Sequence, residues 1–166
     1  MDTAQLKRVL ATDDRVREVF RDVLPRNHVP SPRTLSPDGS PVGYILNTDP
    51  CQQPGEHWVC LYIDSNGRGE YFDSYGLPPL HPDVTRALDQ GTQTWTWNTR
   101  RLQSLDTAVC GQYTVFYALH RVRGYTMADI VHLFPRDNTP EDNDTLVYDF
   151  VYRHFLVVAP YWATSL

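Results

Sequence analysis

The sequence has no long apolar run and few cysteines. No stretch approaches the roughly 20 apolar residues that a membrane-spanning helix requires, and residues 1–10 carry charges where a signal peptide would be apolar. Three cysteines, an odd number without close pairing, do not make a disulfide framework. We therefore expect an intracellular protein in a reducing environment.

The sequence also lacks an excess of positive charge. Its formal net charge is −5, whereas proteins that bind nucleic acids strongly usually carry a basic excess or a basic stripe. The densest basic stretches, Arg100-Arg101 and Arg121-Val122-Arg123, are short. We do not expect nucleic acid to be the main partner.

Several motifs of common enzyme classes are missing. The chain has no Cys-x-x-Cys or His-x-x-x-His pair, no Gly-x-Ser-x-Gly and no glycine-rich phosphate-binding loop. We therefore expect neither a metal nor another cofactor. A metal hydrolase using His57, Asp73 and His81 is a remote alternative.

The remaining composition is that of a globular protein. Of 166 residues, 41% are hydrophobic and 21% are charged, which is ordinary for a chain with a packed core. This length fits one domain, so we predict that residues 1–166 form a single unit.

Apolar periodicity predicts helices at both ends of the chain and strands between them. The predicted helices are Leu6–Val23 with a break at Ala11–Asp14, Pro82–Leu88, Cys110–Arg121, a segment from Thr126 to Phe134, and Asp144–Val158. The predicted strands are Gly43–Asn47, His57–Ile63, Glu70–Asp73 and Thr92–Asn98. This order predicts an α+β fold with a central, mostly antiparallel sheet flanked by helices.

Cys110 stands at the predicted start of a buried helix and is followed by Gly111. Unpaired backbone N–H groups and the positive end of the helix dipole favour a thiolate at such a position. The same N–H groups can receive the oxyanion of a tetrahedral intermediate. Cys110 is therefore the candidate nucleophile.

His57 and Asp73 lie at comparable distances on either side of the Asn66-Gly67 turn. Because the start of one hairpin strand lies near the end of its partner, the two side chains can be neighbours. An aspartate beside a histidine fixes its tautomer and stabilises the imidazolium. Gln103, upstream of Cys110, carries an amide that could complete an oxyanion site.

Each of these residues taken alone has a simpler interpretation. A single cysteine is more often a small buried hydrophobic residue, His57 fits a strand end, and Asp73 fits a turn. Only the combination points to a nucleophile, a general base and an orienting carboxylate. The pattern by itself does not place Cys110 beside His57.

At these residues the sequence resembles the adenovirus-type cysteine proteases, or adenain family, which includes Polinton/Maverick-type and related DNA-virus proteases. It is more distantly similar to the SUMO-specific proteases of the same fold. The matching segments are Tyr44–Thr48, Gly55–Trp58, Tyr71–Gly76, Leu102–Ser104 and Val109–Tyr113, together with Phe20–Pro25 near the amino end. They follow the family's order of His, acid, Gln and Cys.

The resemblance implies a cysteine endopeptidase with the fold of that family. Cys110, His57 and Asp73 would form the triad, and Gln103 would donate to the oxyanion. The family cleaves after glycine-containing sites, often with Gly-Gly or Gly-X before the cut. A narrow slot that excludes side chains would produce that preference.

The resemblance also implies a substrate groove. Trp58 would form one wall of the slot, although a tryptophan of the core is an equal alternative. Asn47 and Gly55 match positions that line the groove in the family.

The chain departs from the best-known members at three points. They use glutamate where this chain has Asp73. They are stimulated by a short viral peptide that can form a disulfide with a cysteine before the Gln, but residues 90–102 contain no cysteine, so any activating peptide would bind non-covalently. They are basic and activated by DNA, which we do not expect of an acidic chain.

Three hypotheses therefore stand. The first is a viral or transposon-borne protease that matures capsid and core precursors, acting in the host nucleus and virion if it is viral. The second is a protease that removes ubiquitin-like modifiers. The third is a non-catalytic binding module that has kept the fold.

Overall fold

A five-stranded sheet forms the centre of the molecule. The computed structural model describes residues 1–31, 35–36, 38–53 and 55–156. The strands are β1 (Phe20–Pro25), β2 (Val42–Asn47), β3 (Trp58–Ile63), β4 (Arg68–Phe72) and β5 (Thr94–Trp97). They lie in the sheet in chain order, and β2, β3 and β4 form its antiparallel centre.

Six helices flank the sheet in the part of the chain that the structure describes. They are α1 (Thr3–Ala11), α2 (Asp14–Val19), α3 (Pro82–Gly91), α4 (Cys110–Arg121), α5 (Met127–His132) and α6 (Pro140–Leu156), with a short 3₁₀ turn at Arg26–His28. The structure thus has the predicted α+β class.

Both outer strand pairs are parallel, β1 with β2 and β4 with β5. The pairing of β4 with β5 follows from the connection, because α3 crosses between them and returns the chain in the same direction. The antiparallel pairing expected from the Asn66-Gly67 turn holds for β3 and β4. The sheet is therefore antiparallel in its centre and parallel at its edges.

Strand β3 is buried on both faces. Trp58, Cys60 and Tyr62 pack on the side that carries α1, α4 and α6, whereas Val59 and Leu61 pack on the side that carries α3. A strand covered on both faces reads as a continuous apolar run, and WVCLYI is such a run. Helix α4 is thereby pressed against β3.

The prediction of a helix from Leu6 to Val23 is wrong at its carboxyl end. Asp13 caps α2 as the sequence suggested, but the helix ends at Val19 and residues 20–25 form β1. The apolar spacing of this stretch fits either state. Pairing with β2 decides it, because Phe20 packs directly over Gly43.

The last helix begins four residues before the predicted start. It starts at Pro140, where a missing N–H costs nothing, and the hydroxyl of Thr139 accepts from the backbone N–H of Asp142. The predicted end at Val158 lies outside the described residues. The bounds Cys110–Arg121 of α4 and the capping of α5 by Thr126 are confirmed.

No helix among the residues that the structure describes is both long and apolar enough to cross a membrane.

Gly76 ties the turn after Asp73 to the segment that leads towards Cys110. Its φ is +73°, and a Cβ there would lie 2.7 Å from the carbonyl carbon of Arg100. Gly124 also has positive φ (+93°), but no described atom lies within 4 Å of the position that a Cβ would take there. A comparison of Gly76 with Gly124 therefore separates the cost of a left-handed backbone from the cost of a steric clash.

We expect Gly124→Ala to lower the free energy of unfolding by about 1–2 kcal/mol, the cost of left-handed backbone. Gly76→Ala should cost about 1–3 kcal/mol more, because backbone must move to admit the methyl group. Urea unfolding of both variants measures the difference. Equal losses of unfolding free energy in the two variants would show that the backbone at Arg100 moves aside at little cost.

Candidate active site

The sheet places His57 and Asp73 at one edge. His57 precedes the first residue of β3, Asp73 follows the last residue of β4, and the two strands are antiparallel. The two side chains are in contact, with 2.7 Å between His57 Nε2 and Asp73 Oδ1. Only 3% of Asp73 is exposed, so the carboxylate holds the imidazole in a poorly hydrated position.

Asn98 holds the backbone of Asp73 from both sides. Its Oδ1 accepts from the Asp73 N–H (2.8 Å) and its Nδ2 donates to the Asp73 carbonyl (2.6 Å). This residue follows β5, the parallel neighbour of β4. We did not single it out from the sequence, although a polar residue just after a strand at this sheet edge is a usable signal.

Tyr75 covers one face of the histidine. The rings stack with centroids 4.6 Å apart and an interplanar angle of 24°, while the Tyr75 backbone N–H donates to Asp73 Oδ1 (2.8 Å). A flat aromatic ring over an imidazole limits its rotation and favours its cationic form. Sequence reasoning missed this contact, which depends on the turn after β4.

Cys110 is the first residue of α4 and lies beside His57. Burial raises the pKa of its thiol, but a hydrogen bond and the positive charge from His57, together with the backbone N–H of Trp58, lower it more. The net pKa lies below the ordinary cysteine value. Because Nε2 of the histidine is bound to Asp73, Nδ1 is the ring nitrogen that remains for the interaction with the thiol.

The pKa of His57 moves in the opposite direction. Burial lowers it, whereas the hydrogen bond and charge of Asp73, and those of Cys110, raise it from 6.5 to about 9. The two opposite shifts favour a thiolate–imidazolium pair over a thiol beside a neutral imidazole. That pair combines a ready nucleophile with a proton donor.

The start of α4 offers donors for a developing negative charge. Among the described residues no side chain caps the helix, whose N-cap residue is Val109. The first N–H groups thus have no partner within the helix, and the dipole adds positive potential there. An oxyanion formed on a carbonyl attached to Cys110 would lie near these groups.

Gln103 is fully buried in the loop that precedes α4. Its Oε1 accepts from the hydroxyl of Ser74 (2.6 Å), and its Nε2 donates to the carbonyl of Thr107 (2.9 Å). These contacts fix which end of the amide is nitrogen, and they occupy one of its two N–H groups. Donation to an oxyanion by the second N–H stays a prediction.

The three residues predicted to bind substrate share one groove. Its volume is about 520 Å³, within the range of ligand sites. It is lined by Met1, Asp2, Thr3, Pro25, Asn47, Asp49, Pro50, Cys51, Gln53, Gly55 and Trp58. Trp58 Nε1 donates to the Met1 carbonyl (2.9 Å), so this tryptophan is both part of the core and a wall of the groove.

The other two cysteines are not part of the proposed triad, although Cys51 lines the groove. Cys60 is fully buried, as expected for a packing residue, and Cys51 is exposed. Within the described ranges no three His, Cys, Asp or Glu side chains cluster in a way that could hold a metal ion.

Part of the chain is similar in sequence to viral cysteine proteases. The chain is 34% identical over 93 residues to the cysteine protease S273R of a Malawi tick isolate of African swine fever virus. It is 31% identical over 102 residues to the "SUMO-1 cysteine protease S273R" of a South African isolate of the same virus. These curated relatives are named cysteine proteases.

The similarity is partial. The matched segments cover 48% and 54% of this chain, but only 33% and 37% of the two relatives. The chain therefore spans about a third of the length of the curated relatives it matches. No protein-family profile matches it.

Two solved structures are similar in shape. The crystal structure of the African swine fever virus pS273R protease aligns with a TM-score of 0.49 and 27% identity, covering 65% of this chain and 43% of that one. The central domain of the uncharacterized Lpg1148 protein from Legionella pneumophila aligns with a TM-score of 0.51 and 15% identity, covering 92% and 97%. The second likeness concerns the fold alone.

The lowered pKa of Cys110 is directly measurable. A thiol of ordinary pKa is less than about 1% ionised at pH 6, whereas Cys110 should still react with iodoacetamide at that pH. We expect the Cys51→Ser chain to be alkylated at Cys110 much faster at pH 6 than the Cys110→Ala chain is at Cys51. Cys60 should stay unreactive because burial raises its pKa.

The control for this measurement is His57→Ala in the Cys51→Ser chain. It should lose the reactivity at pH 6 because the partner that lowers the pKa is gone. Equal alkylation rates at pH 6 for Cys110 and Cys51 would contradict the thiolate–imidazolium pair.

Asp73→Asn should lower the pKa of His57 from about 9 towards 6.5, because the asparagine keeps the shape but not the charge. The imidazole C–H signals in an NMR titration report this value. Asp64→Asn, in the turn between β3 and β4, is the matched control and should leave it in place. If the pKa of His57 stays near 9 in Asp73→Asn, Asp73 is not the main cause of the raised pKa.

Proposed function

We propose that this chain is a cysteine endopeptidase. The observation that carries the proposal is the placement of Cys110 at the start of α4 beside a histidine whose other nitrogen is held by Asp73 at 2.7 Å. The opposite pKa shifts of Cys110 and His57 support the same assignment. The names of the partial viral relatives agree with it.

The proposed reaction begins with the thiolate. The sulfur of Cys110 attacks the scissile carbonyl carbon, a C–S bond forms, and the carbonyl electron pair moves to oxygen. The N–H groups at the start of α4, with the amide of Gln103, stabilise that oxyanion. When the C–N bond breaks, the departing nitrogen takes the proton from the His57 imidazolium, leaving a thioester.

Hydrolysis of the thioester completes the cycle. The now neutral His57 takes a proton from water, and the resulting hydroxide attacks the thioester carbon. The C–S bond breaks, which restores the thiolate and the imidazolium. Asp73 holds the imidazole in place throughout the cycle.

We further propose that the substrates are polypeptides with Gly-Gly or Gly-X before the cut. The resemblance to adenovirus-type proteases suggests this specificity. The groove reaches the start of α4, because a Cβ on Gly111 would lie 2.9 Å from the Met1 side chain and 3.6 Å from Trp58. Its wall contains Trp58, Asn47 and Gly55, and a Cβ on Gly55 would lie 2.7 Å from Asn47 Nδ2. Gly55 therefore lies directly against Asn47, and any side chain at position 55 would displace that residue of the groove wall.

Maturation of viral capsid and core precursors is the biological role that we propose, in the host nucleus and the virion. The viral origin of the curated relatives favours it. Removal of a ubiquitin-like modifier is the second candidate, favoured by the name "SUMO-1 cysteine protease" that one relative carries. The two roles differ in whether the substrate includes a folded modifier.

An activating peptide, if one is required, would bind non-covalently. The described cysteines are Cys51, Cys60 and Cys110, and none lies in residues 90–102. Strand β5 in that segment is an outer strand of the sheet, which is a surface that an extended peptide can extend. We propose no activation by DNA, given the net charge of −5.

The test is cleavage of a Leu-x-Gly-Gly-x peptide. Cys110→Ala should abolish turnover, and Gln103→Ala should lower kcat by roughly 10²–10³, the cost of losing one oxyanion donor. Activity should fall as pH rises through about 9, because His57 then lacks the proton for the leaving group. Alkylation of Cys110 should persist at the same pH, because it needs only the thiolate.

Three results would redirect the proposal. Turnover by Cys110→Ala would remove the assigned nucleophile. Cleavage of a folded modifier fusion but not of the short peptide would favour the second candidate. Absence of cleavage, together with ordinary thiol reactivity, would favour a binding module.

A further inference from the structure

The loop that carries Gln103 is held by a buried carboxylate on α6. Asp144 is only 5% exposed and accepts three hydrogen bonds. Its Oδ2 accepts from the backbone N–H of Ser104 (3.2 Å) and the hydroxyl of Thr107 (2.7 Å), and its Oδ1 accepts from the hydroxyl of Tyr113 (2.8 Å). One side chain of α6 thus bonds both α4 and the loop that precedes α4.

Asn143 adds a second attachment at the start of the loop. It is 1% exposed, and its Nδ2 donates to the carbonyl of Leu102 (3.1 Å). The loop from residue 102 to residue 109 contains no helix or strand, so it lacks the regular hydrogen bonds that position a backbone. The backbone N–H groups of Leu102 and Gln103 donate to the Ser74 carbonyl (2.8 and 3.0 Å), and the side-chain contacts of Asn143 and Asp144 add to this hold further along the loop.

A carboxylate is an unusual group to find buried as an anchor. Removing a carboxylate from water is unfavourable unless hydrogen-bond donors compensate, and here three donors do so. A carboxylate accepts directional hydrogen bonds from donors on different elements, and these bonds fix the relative positions of those elements. Asp144 therefore sets the position of the loop relative to α4.

The position of the loop in turn determines the position of the Gln103 side-chain amide. Thr107 donates its hydroxyl to Asp144 and accepts from Gln103 Nε2 through its carbonyl. Gln103 Oε1 accepts from Ser74, the neighbour of Asp73. A continuous chain of hydrogen bonds thus runs from α6 to the turn that carries the orienting carboxylate.

We infer that Asp144 is a positioning residue for the oxyanion site, acting through Thr107 on the amide of Gln103. This inference rests on the proposed function, because it needs Gln103 to serve an oxyanion. It predicts that loss of Asp144 lowers kcat and leaves KM near the wild-type value. An anchor that only stabilised the fold would lower the melting temperature and leave both constants unchanged.

The central experiment compares Asp144→Asn in two backgrounds, using the Leu-x-Gly-Gly-x peptide. In the otherwise wild-type chain we expect kcat to fall by about tenfold or more, but by less than the roughly 10²–10³ of Gln103→Ala. In the Gln103→Ala chain we expect no further fall, because Asp144 acts through the missing amide. The same factor lost in both backgrounds, or no loss in either, would overturn the inference.

Two further variants test the route. Thr107→Ser keeps the hydroxyl and should have near wild-type kcat, whereas Thr107→Val should resemble Asp144→Asn. If Asp144→Asn does not fold, the Thr107 pair carries the same test. Equal kcat for Thr107→Ser and Thr107→Val would contradict the proposed route.

Glu70→Gln is the matched stability control. Its carboxylate also lies mostly out of solvent and bonds Tyr117 and Arg121, outside the loop and the triad. It should lower the melting temperature without lowering kcat. A comparable loss of kcat in Glu70→Gln would show that general destabilisation explains the effect.

A peptide aldehyde gives a readout of the oxyanion site itself. Its adduct with Cys110 has a tetrahedral carbon whose oxygen occupies the oxyanion position. Asp144→Asn should weaken aldehyde binding by about the factor lost in kcat, and substrate KM should stay constant. Unchanged aldehyde binding beside a lowered kcat would overturn the inference.

The inference and the proposed function can fail separately. If the wild-type chain cleaves no peptide, the proposed function fails, and NMR of the Gln103 side-chain N–H₂ still tests the positioning. Those signals should shift and exchange faster with solvent in Asp144→Asn than in Glu70→Gln. Unchanged Gln103 signals would overturn the positioning role whatever the chain's activity.

Discussion

The contact between His57 and Asp73 is the interaction on which the proposed chemistry depends. A buried carboxylate 2.7 Å from Nε2 keeps the imidazole charged, and the charged imidazole in turn favours the thiolate of Cys110. Neither shift would survive in open water, where burial could not strengthen the pairing. The sheet makes the contact possible by ending β4 where β3 begins.

A set of polar contacts supports the segments that carry the triad and Gln103. Asn98 holds the backbone of Asp73, and Ser74 links the same turn to Gln103. Asp144 then ties the loop of Gln103 to α4. The segments involved are far apart in sequence and mostly irregular, so side chains supply the hydrogen bonds that a regular element would supply from its backbone.

The elements predicted best were those with one dominant pattern. Helix α4 was predicted with its observed bounds because a long apolar run ends in polar residues. Strand β3 consists mostly of β-branched and aromatic residues. Residues 20–25 were predicted as helix but form β1, because apolar residues at mixed spacing fit both states. A parallel partner further along the chain, Val42–Asn47, decided between them.

The candidate site divides in a similar way. The sequence determined which groups are available, since a cysteine before a helix, a histidine and an aspartate around a hairpin turn, and a glutamine upstream each have local signals. Only the tertiary structure decided that Cys110 lies beside His57, and that Tyr75, Asn98 and Asp144 support the arrangement. The reason is physical: local signals depend on neighbours along the chain, whereas these contacts depend on the packing of α4 against β3 and of α6 against α4.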